Sequence, residues 1–359
     1  AIVKGYYGKE QTLARGKTVA MGIDVHKEHW HVTVLVAGEE VFQGRIPGEY
    51  AALRKLLDRC VDCQVRVAYE AGPCGFGLHD RLQADRIEVL VVPPSLIPVE
   101  SGNKVKTDRR DSRKLARLLE GNLLKRVHVL TEQERAHREL LRTRRQLIQH
   151  RSDVARQIKS KLLFYSIRAP FPAQQQWTGP YLRWVKGLHW EEECVKVSLD
   201  ILLRLYEELT VHVKALELRI KTLAATAPYK ERVRLLRTAP GIGLLSAMEM
   251  LTELQDLSRF ASPQHLASYL GLTPSEYSSG PRVRQGRITR CGNKRVRSCL
   301  VESAWILIGK DPQMRQRYLR IKFRRGAKRA IIAIARNLSG RIWRMLRTHE
   351  PYVVGAAAA

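Results

Sequence analysis

The chain has 359 residues, 63 of them Lys or Arg against 35 Asp or Glu, for a formal net charge of +28 at neutral pH. Such an excess repels itself and persists where a polyanion neutralises it, which points to nucleic acid as the partner. A hydrophobic content of 44% excludes a disordered basic tail, and no run of 18 apolar residues occurs, so no membrane span is expected.

Residues 1–17 form a polar, basic extension without the apolar stretch of a signal peptide, so a cytoplasmic protein is expected. The six cysteines do not resemble a secreted disulfide framework. Cys60 and Cys63 make one CxxC, with Cys74 further on, but no second pair stands at zinc-ribbon spacing; reduced thiols are the simpler reading.

Residues 18–125 read as α/β. Short strands are expected over 18–24, 29–36 and 40–46. Tyr50, Leu53, Leu56 and Leu57 fall at helical spacing within 48–60. A half-buried strand follows at 64–70, where Val65, Val67 and Tyr69 alternate, then a helix over 76–86 and a buried strand over 87–92. Leu115, Leu118 and Leu119 give the inward face of a helix over 108–119. Three strands, helix, strand, helix, strand, helix is the order of ribonuclease-H-like nuclease folds.

Residues 126–228 read as a helical middle region. One long charged helix covers 131–167 and is stopped by Ala169-Pro170-Phe171-Pro172. A second, over 191–225, carries Leu199, Leu202, Tyr206, Leu209, Val213, Leu216, Ile220 and Leu223, a three-and-four alternation that suits either an intermolecular coiled coil or an intramolecular hairpin. Residues 229–359 form a third, mostly helical unit. Between Pro281 and Arg347 only Glu302 and Asp311 oppose the cations. Ile321, Ile331, Ile332, Ile334, Leu338, Ile342 and Leu346 make 315–347 helical and packed on one side, leaving a charged face for a nucleic-acid backbone.

The first chemical constellation is acidic. Asp24 ends the first strand, Glu70 ends the fourth, and Asp108 and Asp111 open the last α/β helix three residues apart, hence on one face. Four clustered carboxylates repel unless neutralised. Hard divalent cations, Mg²⁺ above all, are the usual solution, and they would polarise a phosphodiester. Read singly, Asp108 is equally a helix cap and Asp24 a turn residue.

Pro240-Gly241-Ile242-Gly243, leading into 244–251, has the form of a helix-hairpin-helix turn, in which backbone N–H groups around Gly241 and Gly243 face a phosphate. A plain helix–helix turn has the same residues. Further on, Tyr277-Ser278-Ser279-Gly280 precedes Arg282, Arg284, Arg287 and Arg290, with Lys294, Arg295 and Arg297 next. A serine hydroxyl attacks phosphate if its proton is removed and cations stabilise the developing charge. No nearby histidine serves as base, since His265 belongs to the preceding helix.

These motifs together resemble a family of insertion-sequence transposases. Gly22-Ile23-Asp24, Glu70-Ala71-Gly72 and Lys106-Thr107-Asp108-Arg109-Arg110-Asp111 are similar to its acidic motifs. Pro240-Gly241-Ile242-Gly243, Gly271-Leu272-Thr273-Pro274, Tyr277-Ser278-Ser279-Gly280 and Gly292-Asn293 follow in the family's order, so the resemblance covers residues 18–346. It implies an N-terminal RuvC-like DEDD domain and a C-terminal serine-bearing domain, guided by a bridge (or seeker) noncoding RNA that pairs with donor and target DNA. Asp24, Glu70, Asp108 and Asp111 would hold the metal, and Ser279, with Ser278 as its rival, would form a phosphoserine link to DNA. Homodimers pairing into tetramers would build composite sites from different subunits, answering the missing base. Two departures stand out: Ser112 replaces the common Ala, and Glu70 is followed by Ala-Gly-Pro-Cys-Gly in place of Ala-Thr-Gly. Neither removes a functional group.

The basic residues expected on nucleic acid also include Arg324, Arg325, Lys328 and Arg329. Two rival functions share the composition. A RuvC-like junction nuclease needs the four acids and water but no serine. An architectural nucleic-acid-binding protein needs neither.

Overall fold

The computed structural model describes residues 12–98, 107–276 and 284–355. The chain forms two compact units, Ala1–Leu130 and Thr131–Ala359.

In the first unit, β1 (Ala14–Arg15) pairs in parallel with β5 (Cys60–Val61) beside the main sheet. That sheet contains β2 (Thr18–Val25), β3 (His29–Val36), β4 (Glu39–Pro47), β6 (Gln64–Glu70) and β7 (Glu88–Val92), in the order β4-β3-β2-β6-β7. β2, β3 and β4 are antiparallel neighbours, whereas β6 and β7 run parallel to β2. The alternation of β2 sorts its side chains onto two faces. Val19, Met21 and Ile23 enter a core with Val67 and Tyr69, covered by α1 (Tyr50–Leu57) and α2 (Gly77–Ala84) through Leu53, Leu56, Leu78 and Leu82. Ala20 and Ala68 face the other way, against Ala116 and Leu119 of α3 (Asp108–Glu120).

The second unit begins with α4 (Glu132–Phe164), opened by a capping box between Thr131 and Glu134. After α5 (Gly179–Lys186) comes α6 (Glu193–Ala224). The two long helices pack on each other antiparallel: Arg144 Nε lies 2.9 Å from Glu217 Oε1, and Lys161 Nζ 2.8 Å from Ser198 Oγ. Val154, Ile158 and Leu162 meet Leu199, Leu203, Tyr206 and Leu209 in their shared core. Leu203 is buried in this seam, and Leu202, expected there from the heptad spacing, is half-buried against the same core.

The remaining helices are α7 (Lys230–Leu236), α8 (Leu244–Leu254), α9 (Pro263–Tyr269), α10 (Lys294–Lys310), α11 (Pro312–Arg325) and α12 (Ala327–Thr348), with β8 (Pro274–Glu276) and β9 (Gln285–Ile288) paired antiparallel. One apolar core joins them. The basic stretch expected to be helical over 315–347 falls in α11 and α12, which are separated at Gly326. No helix among the described residues is long and apolar enough to cross a membrane.

Candidate metal and nucleic-acid sites

α3 is held against the sheet by contacts that fix where its N-terminus lies. Thr33 and Ser112, both fully buried, share a hydrogen bond of 2.9 Å between their hydroxyls. Arg113 pairs with Glu40 at 2.7 Å, and Arg109 bonds the side chain of Gln43. Gly22 allows the closest approach: a Cβ there would lie 2.1 Å from the Ser112 carbonyl oxygen and 2.4 Å from the Ala116 nitrogen. Ser112, a departure from the family pattern, is thus the partner of Thr33.

Thr107 is the N-cap of α3, accepting from Arg110 N, which frees Asp108 from the capping role that the sequence left open to it. Ile23 pairs with Tyr69 across β2 and β6, so Asp24 and Glu70 are the next residues on neighbouring parallel strands. Ala20 and Ala68 face α3, and period two puts Asp24 and Glu70 on that same face. Asp108 and Asp111 stand in the first turn of the helix lying on it. Strand ends and helix start therefore place the four acids at the same end of the sheet, and of the four carboxylates Asp24 and Asp108 come within ligand distance of a shared point.

Three histidines accompany them. Asp24 is paired with His31 across β2 and β3. His26 Nε2 lies 3.4 Å from Asp24 Oδ2 and 3.7 Å from Asp108 Oδ2, and His29 Nε2 lies 3.8 Å from Asp108 Oδ2. One ligand atom each from Asp24, His26 and Asp108 falls within 4.8 Å of the others. The Asp24 side chain is 19% exposed, those of His26 and Asp108 46% and 48%, so the cluster opens to solvent and can receive a large substrate. Burial raises the Asp24 carboxyl above its ordinary range; His26 opposes this, while Asp108 and Asp111 add repulsion. Burial lowers the His31 imidazole against the attraction of Asp108 and Asp24, with Arg109 and His29 adding to the fall. Oxygen donors supplemented by imidazole are a donor set that fits a divalent cation. The histidines were not singled out from sequence, although 29 and 31 lie on the second expected strand; its pairing beside β2 puts them on the face of Asp24.

Ser278, Ser279 and Arg282 lie outside the described residues. The strands that flank them in sequence are paired, Pro274 with Ile288 and Glu276 with Gln285. The base of this hairpin is held by backbone meeting backbone. Gly292, at φ +72°, stands so close to Tyr269 that a Cβ would lie 1.9 Å from its carbonyl oxygen. Asn293 caps α10, its Oδ1 accepting from Arg295 N and Val296 N while its Nδ2 donates to Glu253. The buried Glu253 carboxylate also receives Arg142, at 2.8 and 2.9 Å. Gly292-Asn293 is thus a structural clasp that ties Tyr269 of α9 and Glu253 of α8 to the start of α10.

The basic candidates divide in two. Arg297 donates to the Leu270 and Cys291 carbonyls, at 2.7 and 3.1 Å, and Arg295 lies 3.9 Å from Glu253. Arg284, Arg287, Arg290, Lys294, Arg324, Arg325, Lys328 and Arg329 are exposed. Phe323, 95% exposed between Lys322 and Arg324, was overlooked in the sequence and gives the cations an aromatic face. Of the hairpin glycines, Gly243 is exposed as the N-cap of α8, whereas Gly241 is packed against Ser303 of α10.

Residues 21–167 match the DEDD transposase family of the IS110 type, and residues 233–319 match the transposase IS116/IS110/IS902 family. The y4qE protein of Sinorhizobium fredii is 33% identical over 368 residues, spanning 94% of this chain and 90% of its own. The transposase for insertion sequence element IS1533 of Leptospira borgpetersenii is 26% identical, over 93% of this chain and 97% of its own. The pilin gene-inverting protein of Moraxella bovis is 35% identical over 131 residues, 35% of this chain and 40% of its own.

Proposed function

Because the chain belongs to the IS110/IS116/IS902 family of transposases, and is therefore an enzyme of DNA transposition, we propose that it cuts and rejoins donor and target DNA under the guidance of a bridge (or seeker) noncoding RNA. The observation carrying this reading is the convergence of Asp24 and Asp108 at the sheet edge where Glu70 and Asp111 also stand. The strand order of the first unit supports a RuvC-like nuclease architecture for residues 18–125. The long hairpin within 126–228 is the arm on which subunits pair as dimers and tetramers, and residues 229–359 are the serine-bearing domain.

Asp24, Glu70, Asp108 and Asp111 would hold a divalent cation, Mg²⁺ in the simplest case, which when bound would supply stabilisation of the negative charge that develops on the phosphodiester. Ser279 attacks phosphorus, its Oγ–P bond forming as the P–O bond to one DNA end breaks; its proton passes to the acidic site of a partner subunit, and the released DNA oxygen takes up a proton to become a hydroxyl. The phosphoserine link keeps the phosphodiester energy until a DNA hydroxyl from the other duplex attacks and releases the serine. Arg282, Arg284, Arg287 and Arg290 neutralise the phosphate at this step. Gly243 at the start of α8, together with Lys294, Arg324, Arg325, Lys328 and Arg329, tracks nucleic-acid backbones. Arg295, Arg297 and Gly241 act less directly, by shaping the surface those groups stand on.

The test is a strand-cleavage assay with purified protein, flanking noncoding RNA, donor and target DNA, and Mg²⁺. Cleavage is expected to need the RNA and to vanish in Asp108→Ala. Cleavage without RNA would remove the guide from the account, and cleavage by Asp108→Ala would remove the metal site.

A further inference from the structure

The acidic edge carries more imidazole than a four-carboxylate site needs. His26 directs a single atom, Nε2, between two carboxylates, 3.4 Å from Asp24 Oδ2 and 3.7 Å from Asp108 Oδ2. We propose that His26 is a nitrogen ligand of the cation held by Asp24 and Asp108, making a mixed nitrogen–oxygen site that binds a transition-row ion such as Mn²⁺ more tightly than Mg²⁺. This rests on the metal-site reading above and deepens it.

The spacings suit a shared ion. Ligands at ~2.1 Å from an octahedral cation lie ~3.0 Å apart when adjacent and ~4.2 Å apart when opposite. The observed 3.4 and 3.7 Å fall between those limits. The imidazole is aimed by its surroundings: Trp30, whose ring is buried, donates Nε1–H to the His26 carbonyl at 3.2 Å and pins the turn that carries the side chain. His29, with ring centroid 5.3 Å from that of His26, stands 3.8 Å from the same Asp108 Oδ2 and helps to confine that carboxylate. The His26 side chain, 46% exposed, is not a core-filling group.

Donor chemistry then sets selectivity. Mg²⁺ prefers oxygen and surrenders its waters reluctantly. Imidazole favours transition ions, whose affinities rise along the first row from Mn²⁺. One nitrogen among the carboxylates therefore tips the site towards Mn²⁺ without excluding Mg²⁺.

Full-length protein, stripped with EDTA and dialysed, is titrated calorimetrically with MnCl₂ and with MgCl₂. Its Mn²⁺ complex is examined by electron spin echo envelope modulation, which detects ¹⁴N bonded to the ion. Wild type should bind Mn²⁺ the more tightly and show imidazole ¹⁴N modulation. His26→Gln should lose the modulation and weaken Mn²⁺ binding by roughly 10- to 100-fold, the range that even outer-shell partners of a metal command, while Mg²⁺ affinity changes by less than about threefold because its ligands are oxygens. An unchanged melting temperature in EDTA checks that the variant is folded. Mn²⁺ binding without ¹⁴N modulation, lost in Asp24→Asn but not in His26→Gln, would overturn the proposal and leave the carboxylate metal site standing. Modulation that survives His26→Gln would overturn it by assigning the nitrogen elsewhere. Absence of binding of either ion to wild type would overturn both readings.

Discussion

A single methyl group at Gly22 should separate the helix carrying Asp108 and Asp111 from the strand carrying Asp24. In Gly22→Ala the new carbon would stand 2.1 Å from the Ser112 carbonyl oxygen, 2.4 Å from the Ala116 nitrogen and 3.1 Å from the Ala116 Cα. All three are backbone atoms of α3, so no side-chain rotation relieves the contact. Ordinary contact begins at 3.4 Å, so the helix must retreat by the difference from 2.1 Å, about 1.3 Å. Overpacking of this kind costs ~1–3 kcal/mol. The retreat also stretches the buried Thr33–Ser112 hydrogen bond, for a further ~1 kcal/mol. Calorimetry should find the first unit melting roughly 5–15 °C lower, and the same protein should bind Mn²⁺ more weakly because its ligands are pulled apart. A melting temperature within about 2 °C of wild type, together with unchanged Mn²⁺ affinity, would refute the idea that this glycine sets the spacing of the site.

Glu253→Gln should cost about 1–3 kcal/mol in chemical denaturation, since the buried carboxylate loses its charge-assisted hydrogen bonds from Arg142, whose own side chain is 34% exposed and stays solvated. Burial pushes the Glu253 carboxyl up, but the Arg142 hydrogen bonds and charge, with Asn293 and Arg138, hold it below its usual range. A folded value below the unfolded one gives a contribution that is full above the unfolded pKa, ~4.3, and is lost as pH falls through the folded value. Wild type and variant should therefore converge in stability only in acid, and a pH-independent difference would contradict the pairing. Thr33→Val should cost about 1 kcal/mol, at the low end for a lost buried partner because Ser112 keeps the Arg109 carbonyl; thermal melts of that variant and of the double variant with Ser112→Ala, which should recover part of the loss, check it. Asp24→Asn removes a carboxyl that burial and two neighbouring acids disfavour, so calorimetry in EDTA should find it at least as stable as wild type while cation binding disappears.

The elements that position the candidate site were legible because their patterns are local. β3 and β6 span the expected residues, and α3 differs by one residue at its end. The strand expected over 18–24 is β2, whose Val19, Met21 and Ile23 lie on the face opposite Ala20. What escaped was set by contacts between distant residues. The identity of the α3 cap was decided by Thr107, and the three histidines gained their meaning only when β3 folded back beside β2. Arg142, Glu253 and Asn293 come from three separate elements, so no spacing rule relates them. The resemblance supplied Gly292-Asn293 as a motif, while its reason, a glycine against Tyr269 and a cap for α10, is tertiary.

The central claim, that a serine in this basic unit and the acidic edge of the first unit act together on DNA, is tested most directly by trapping. Protein, flanking noncoding RNA, donor and target DNA, and divalent cation are incubated and separated on a denaturing gel, with Ser278→Ala, Ser279→Ala and Asp108→Ala alongside wild type. A protein–DNA adduct formed by wild type and Ser278→Ala but lost in Ser279→Ala and Asp108→Ala is the predicted result. Cleavage that requires Asp108, leaves no adduct and survives Ser279→Ala would contradict it and make the enzyme a hydrolytic nuclease.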